Sequence, residues 1–300
     1  MLNRAIKTYS RTLILLLVLT CSAAYADRGS IPFRPGVRIF EPKQRAMIAW
    51  NGREEILLLS TDLRASEATE VLEVLPLPSE PKVKKGDVEV FRRATTLINK
   101  KLRRRPKLSR AGVRTGAARG GPAGEVTFHE TIGAHDVSVT HVLNEDGFIE
   151  WVETYLRSVG VANPIVPAPM KEVVAEYLEE KFSWFVFDVV SLEEETRTND
   201  AIQYRFATKS LFYPLKITRT EEGQTSIELL VLTPRLLSSF PGIPTERVRL
   251  LHAPVTITSM ELRSLSEEMD RLLGSRDTMR LRIWNISGRL SSFDRDLIAR

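Results

Sequence analysis

Three histidines at equal spacing are the residues of this chain whose type and position could do chemistry. His129, His135 and His141 follow one another at intervals of six residues. Neutral imidazole nitrogens are common zinc ligands, and residues an even number of positions apart point to one face of a strand. The spacing therefore predicts a site for zinc or a similar divalent metal, with Glu130 or Asp136 nearby as a further ligand.

The alternative is that these histidines are ordinary residues of a sheet. The chain contains neither a His-x-His pair nor the His-Glu-x-x-His pattern of zinc-binding helices. His135 is expected in a turn, from which its side chain need not face those of His129 and His141. The expectation is therefore a chain without a cofactor, with a divalent metal as the alternative.

Three strands and two helices must position the histidines. Alternating apolar residues predict strands over Val126–Ile132 and Val137–Leu143, joined by a turn at Gly133–Asp136. Asn144 is an expected N-cap for the first of two consecutive helices. The apolar run Phe182–Val190 then predicts a buried strand, so this part of the chain is a strand–strand–helix–helix–strand unit.

A strong hairpin signal precedes this unit. Asn51-Gly52, in which both residues tolerate positive φ, separates the apolar segments Gln44–Trp50 and Glu54–Ser60. A further strand over Val71–Leu75 runs into a proline-rich stretch. Proline cannot donate a hydrogen bond to a sheet, so the stretch predicts a sheet edge or an extended link.

Helices and further strands complete the predicted fold. Helical spacing of apolar residues predicts a helix over Asp87–Leu102 and another that Thr258 caps and Gly274 ends. Segments Pro214–Thr220 and Ser226–Leu232 are predicted as a second hairpin. The predicted fold class is α+β, with hairpin-rich antiparallel sheets, a sandwich as one arrangement of them, and about four packed helices.

The first residues predict export. A basic segment containing Arg4, Lys7 and Arg11 precedes the short apolar run Leu13–Leu19, and Ala24–Ala26 is a small-x-small cleavage site. We expect residues 1–26 to be a cleaved signal peptide and residues 27–300 to form a single exported domain, with an uncleaved N-terminal anchor as the alternative. The expected location is periplasmic, cell-surface or extracellular, with no transmembrane helix after cleavage.

Cleavage would change both the chemistry and the charge of the chain. It would remove Cys21, the only cysteine, and with it any disulfide or thiol nucleophile. The remaining chain has 43 − 3 = 40 Lys and Arg against 38 Asp and Glu, a net charge of +2. Eleven of the basic residues and no acidic one lie between Arg92 and Arg119, so the rest sums to 2 − 11 = −9.

The basic segment predicts a disordered loop over residues 103–124, because it has almost no large apolar residue to bury. As a solvated linker it would bind nothing. As an anion-binding segment it would contact an anionic surface or an acidic partner, and nucleic acid is not an expected partner because no aromatic residues lie among the basic ones. The candidate anion-binding residues are Arg103, Arg104, Arg105, Lys107 and Arg110.

Several stretches together resemble the bacterial domain-of-unknown-function family DUF2330. They are Gln44–Trp50, Val74–Pro81, Ile132–Val137, the helix around Trp151, and Leu211–Ile217. The resemblance implies an exported protein, in agreement with the N-terminal residues. It implies no activity and no site residue, because the family has no established activity to transfer.

These observations predict a non-enzymatic exported protein that serves as a binding or structural component of the cell envelope or surface. The chain has no Gly-x-Ser-x-Gly elbow, no phosphate-binding glycine loop and no dinucleotide fingerprint. The alternatives are a metal-dependent hydrolase built on the histidine hairpin and a binder of anionic surfaces that uses the basic loop. The partner is not identified, and envelope proteins or anionic surfaces are its expected classes.

Overall fold

The computed structural model describes residues 28–34, 36–103, 126–132, 135–198, 200–221, 223–242 and 247–300. Within these ranges the chain forms sixteen strands and five α-helices. In chain order the strands are β1 (Gly29–Pro32), β2 (Ile39–Trp50), β3 (Glu54–Ala65), β4 (Thr69–Leu77), β5 (Lys82–Lys85), β6 (Val126–Ile132), β7 (His135–His141), β8 (Trp184–Leu192), β9 (Arg197–Thr198), β10 (Ile202–Ala207), β11 (Leu211–Tyr213), β12 (Gln224–Thr233), β13 (Val248–Leu250), β14 (Val255–Ile257), β15 (Met279–Arg289) and β16 (Leu297–Ala299). The helices are α1 (Glu89–Arg103), α2 (Glu145–Ser158), α3 (Ala168–Glu179), α4 (Ser259–Arg263) and α5 (Glu267–Leu272).

Two sheets pack face to face, and helices cover both outer surfaces. Sheet A has the strand order β1-β4-β8-β7-β6, and sheet B has the order β13-β15-β12-β2-β3-β10-β5, with β14 paired to β15 and β9 to β3. Apolar side chains from both sheets form the central core, which includes Leu57 of sheet B and Val186 of sheet A. Helices α2 and α3 pack on the outer face of sheet A, and α1, α4 and α5 pack on that of sheet B. The layers are therefore helix, sheet, sheet, helix, which confirms the α+β class.

One strand pairing departs from the predicted antiparallel arrangement. Strand β12 pairs with β2 in parallel, from Ile227 opposite Gln44 to Leu232 opposite Ala49. This pairing joins two antiparallel pairs, β2–β3 and β12–β15, into one sheet. A turn sequence fixes the direction of the strands that it connects, whereas β2 and β12 are far apart in the chain and their direction follows from packing.

The predicted Asn51-Gly52 hairpin is confirmed, with longer strands than expected. The Oδ1 atom of Asn51 accepts hydrogen bonds from the backbone N–H groups of Arg53, at 2.8 Å, and Glu54, at 2.9 Å. Gly52 has a φ of 100°, in the region that favours glycine. These local contacts set the register of β2 against β3.

The proline-rich stretch begins inside a strand. Pro76 belongs to β4, where it pairs with Phe185 of β8. The other neighbour of β4 is β1, whose pairing extends only from Val71 to Val74. Within the described part of the chain, Pro76 therefore lies where one side of β4 has no neighbouring strand, which is the edge-like position that a residue without an N–H group requires.

The predictions near the C-terminus are partly wrong. Segment Pro214–Thr220 was predicted as a strand, but Lys216–Thr220 is a 3-10 helix that packs against α3. The single helix predicted after Thr258 is two short helices, although the predicted capping box of Thr258 with Glu261 is present. Ser266 interrupts the helix because its side chain accepts a hydrogen bond from the Met269 N–H and caps α5.

The histidine-bearing hairpin also differs from its predicted form. Strand β6 extends to Ile132 and β7 begins at His135, so His135 lies in a strand and not in a turn. Strand β7 then pairs with β8 in the interior of sheet A.

No helix of the described ranges combines the length and apolar character needed to cross a membrane.

Candidate functional site

A cluster of ionisable side chains lies between the two sheets. Arg28, Glu73, His135 and Asp188 are each no more than 3% exposed. Three of them come from strands β4, β7 and β8 of sheet A, and Arg28 directly precedes β1. Charged side chains are rarely buried in this way unless they are paired. The contacts among the four side chains therefore determine the charge of the cluster and its possible role.

Arg28 bridges the two carboxylates. Glu73 and Asp188 lie directly opposite each other on β4 and β8, an arrangement that is repulsive for two negative charges. The Nη1 atom of Arg28 donates to Glu73 Oε2 and, at 3.1 Å, to Asp188 Oδ2. Its Nη2 atom donates to the Tyr204 hydroxyl of sheet B at 3.0 Å. Arg28 therefore offsets one of the two negative charges and connects the sheets.

The two contacts of His135 favour its doubly protonated form. Its Nδ1 atom lies 2.7 Å from Asp188 Oδ2, and its Nε2 atom lies 3.1 Å from the backbone oxygen of Asp200. Both oxygens are acceptors, so each ring nitrogen must carry a proton to form its hydrogen bond. Burial lowers the pKa of His135, but the hydrogen bond and charge of Asp188 outweigh it and leave that pKa raised. The cluster then contains two cations and two anions.

The raised pKa of His135 predicts a pH-dependent stability. A group with a higher pKa in the folded state stabilises the fold fully below its unfolded pKa, which is about 6.5 for histidine. That stabilisation decreases as the pH rises through the folded-state pKa. The midpoint of urea unfolding is therefore expected to decrease as the pH is raised from about 6.5 through the folded-state value.

The His135→Gln variant is the control for this effect. Glutamine keeps hydrogen-bonding capacity but has no titrating group, so the decrease above about pH 6.5 should be smaller. Burial raises the pKa of Asp296 to about 6 and that of Glu55 well above its usual value. Both acids add a decrease of the same sign in both proteins, so the contribution of His135 is the difference between the two profiles. Equal pH profiles for the variant and the wild type would show that His135 is not the titrating group.

The structure does not bring the three predicted metal ligands together. His135 and His141 lie at opposite ends of β7, about 20 Å apart at the usual rise of roughly 3.3 Å per residue. The Nε2 atom of His141 lies 2.9 Å from Ser183 Oγ, and its ring stacks on Trp184 with centroids 4.6 Å apart. His129 lies in β6, where its backbone pairs with Ser138.

A different set of donors meets around His135. One ligand atom from each of Glu73, His135 and Asp188 lies within 4.8 Å of the other two. Two carboxylates and an imidazole are suitable donors for a divalent cation. A metal ion would compete with Arg28 for the two carboxylates, and His135 would have to lose a ring proton to coordinate it.

The residues around His135 were not predicted from the sequence, although a signal for two of them exists. Glu73 lies between Leu72 and Val74 in the apolar part of strand Thr69–Leu77, and Asp188 is the single charge within Trp184–Leu192. A charged residue on a strand that is otherwise buried needs a partner of opposite charge. Nothing local identifies Arg28 as that partner, because it is 45 residues from Glu73 and 160 from Asp188.

The predicted anion-binding residues lie mostly outside the described ranges. Arg103 is the last residue of α1 and is exposed. Arg104, Arg105, Lys107 and Arg110 are outside the described residues. Anion binding by this segment stays a prediction.

A second buried polar cluster connects α3 to the end of the chain. Asp296 Oδ1 accepts hydrogen bonds from the Tyr177 hydroxyl at 2.7 Å and from the backbone N–H groups of Leu215 and Lys216 at 2.8 Å each. The Tyr177 hydroxyl in turn accepts from the Ile217 N–H at 3.2 Å. These bonds anchor the segment before β16 to the 3-10 helix, so this cluster also has a structural role.

Lys216 extends this second cluster toward the surface. Its ammonium group lies 4.2 Å from the centroid of the Tyr177 ring, and its Nζ atom is 2.8 Å from Glu180 Oε1. The Lys216 side chain is buried while that of Glu180 is half exposed. The ion pair therefore lies at the boundary of the core and holds the 3-10 helix against α3.

Comparison with known proteins identifies one family. Residues 22–268 match the model of a family described as "Uncharacterized protein conserved in bacteria (DUF2330)". No curated protein matches the chain.

Among solved structures, the chain is similar to baculovirus P35, at 8% identity and a TM-score of 0.41 over 90% of this chain and 99% of that one. A mutated baculovirus P35 after caspase cleavage is similar at 7% identity and a TM-score of 0.36, over 85% and 93% of the two chains. Similarity at this level carries no inference about function.

Proposed function

This chain belongs to the DUF2330 family of bacterial proteins, and we propose that it is an exported, non-enzymatic binding or structural component of the cell envelope or surface. The family description assigns no activity, so the proposal rests on the molecule itself. Its N-terminal residues support export, and its buried ionic cluster supports a structural role.

The observation that carries the proposal is that the best-developed group of reactive side chains is buried and paired internally. Arg28, Glu73, His135 and Asp188 are nearly inaccessible to solvent, whereas catalytic groups need a cleft that admits a substrate. Each ring nitrogen of His135 faces a hydrogen-bond acceptor. When both nitrogens donate to these acceptors, neither has a free lone pair with which to act as a general base. The cluster supports a role in fixing the two sheets against each other.

Export is tested by locating the protein and measuring its N-terminus. The full chain should be expressed in a bacterial host, the cells fractionated, and the purified protein analysed by intact mass and N-terminal sequencing. We expect an exported protein that begins at Asp27. Full-length protein confined to the cytoplasm would contradict the proposal.

The donors around His135 favour one second candidate, a metal-dependent hydrolase. In that case the protein, purified from the exported fraction without a histidine tag, would contain about one zinc or similar ion per chain by elemental analysis. The ion should be lost in Asp188→Ala and kept in His141→Ala, because His141 lies at the far end of β7. Metal-free protein that is fully folded would favour the structural role.

A further inference from the structure

Arg282 is a buried guanidinium without a carboxylate partner among the described residues. It lies in β15 and is 3% exposed. Its Nη2 atom donates to Thr233 Oγ1, and its buried Nε atom has no acceptor within the described part of the chain. This arrangement differs from that of Arg28, which is equally buried but bridges two carboxylates.

Burying a charge without a group of opposite charge beside it lowers the free energy of unfolding. Burial and the nearby charge of Arg280 lower the pKa of Arg282 to about 10. This value is still far above neutral pH, so the side chain remains charged. A charge that the fold buries without a carboxylate partner among the described residues is a position that an anion would stabilise.

Arg280 adds a second positive charge to the same face of the sheet. It lies two residues before Arg282 on β15, and residues two apart on a strand share a face. Thr233 of β12 and Thr256 of β14 pair with Arg280 in register from either side. Arg280 Nη1 donates to Thr256 Oγ1 at 2.7 Å, and within the described ranges this guanidinium also forms no ion pair. Two arginines and two hydroxyls thus share one surface of three adjacent strands.

The neighbourhood of Arg282 is both apolar and close to the surface. Its Cζ atom lies 5.8 Å from the ring centroid of Trp284. The ring of Phe240, which is 42% exposed, lies 5.4 Å from that of Trp284. Leu250, 44% exposed, pairs with Trp284 in register. An anion at this place would therefore have exposed apolar side chains nearby.

We propose that Arg282, with Arg280 beside it, forms a binding site for a small oxyanion such as a phosphate group. The planar fork of a guanidinium suits the oxygens of phosphate, and hydrogen bonds between two charged groups are stronger than neutral ones. The oxyanion comes either from free phosphate or from the headgroup of an anionic lipid whose chains contact Phe240 and Leu250. The site belongs to the fold and does not depend on export.

Thermal unfolding of the full chain in phosphate tests the site. The midpoint should be measured in sodium phosphate and in sodium chloride at equal pH and ionic strength. Phosphate at about one hundred times its dissociation constant is expected to raise the midpoint by about 5 °C. The Arg282→Met variant is expected to show no such rise and, in chloride, to be at least as stable as the wild type, because the unpaired charge is gone.

Arg249→Met is the matched control. Arg249 lies on the adjacent strand β13 and is exposed, so the same substitution there should leave the phosphate response intact. Should Arg282→Met fail to fold, Arg282→Lys keeps the charge without the planar fork and is expected to show a smaller rise. A rise in Arg282→Lys equal to that of the wild type would count against the site.

Sedimentation with vesicles identifies the source of the oxyanion. Binding to phosphatidylglycerol vesicles that Arg282→Met abolishes and Arg249→Met does not would support the site with a lipid headgroup as its ligand. A phosphate response without vesicle binding would support it with the free ion. Equal unfolding midpoints of the wild type in the two salts, together with no Arg282-dependent vesicle binding, would overturn the proposal.

Discussion

Replacing Arg28 by alanine is expected to lower the free energy of unfolding by about 3–5 kcal/mol. The substitution leaves Glu73 and Asp188 opposite each other in the core, with His135 as the one remaining cation of the cluster. It also removes the hydrogen bond to Tyr204 that connects the sheets. Urea unfolding followed by fluorescence of the four tryptophans would measure the change.

Two further variants test whether the destabilisation by Arg28→Ala comes from the buried cluster or from the loss of an arginine in general. Arg92 pairs with Glu89 on an exposed part of α1, so Arg92→Ala should change the unfolding free energy by no more than about 0.5 kcal/mol. The double variant Arg28→Met with Glu73→Gln removes one charge of each sign. It should lower the unfolding free energy by at least about 1 kcal/mol less than the sum of the decreases measured for Arg28→Met alone and Glu73→Gln alone. Additive effects would show that the two residues do not act as a pair.

Replacing Asp296 by alanine is expected to cost about 3 kcal/mol, because three donors lose their acceptor at once. They are the Tyr177 hydroxyl and the backbone N–H groups of Leu215 and Lys216. A buried donor without an acceptor costs about 1–3 kcal/mol, and relaxation around the site reduces the sum. The same urea experiment measures this effect.

Asp294 provides the matched control, since it lies two residues away and is exposed. Asp294→Ala should have a small effect, and Asp296→Asn should cost less than Asp296→Ala because the amide oxygen can still accept hydrogen bonds. If Asp296→Ala were no more destabilising than Asp294→Ala, the segment before β16 would not be held by this carboxylate.

The elements predicted correctly from the sequence are those that short-range contacts define. The Asn51-Gly52 turn closes through bonds to Arg53 and Glu54. Asn144 caps α2 by accepting from the Gly147 N–H at 2.7 Å, and Thr258 forms its capping box with Glu261. Each contact joins residues two or three positions apart, so residue type and spacing were sufficient to predict it.

The candidate sites depend on contacts that join distant parts of the chain. His135 was recognised as a candidate, but its partners Asp188 and Asp200 lie 53 and 65 residues away. Arg282 in β15 likewise meets Thr233 from β12, 49 residues earlier. Strand order and register determine which charged residues come into contact, and both follow from the packing of whole sheets. Only the tertiary structure therefore shows which charged groups are paired and which, like Arg282, are buried without a carboxylate among the described residues.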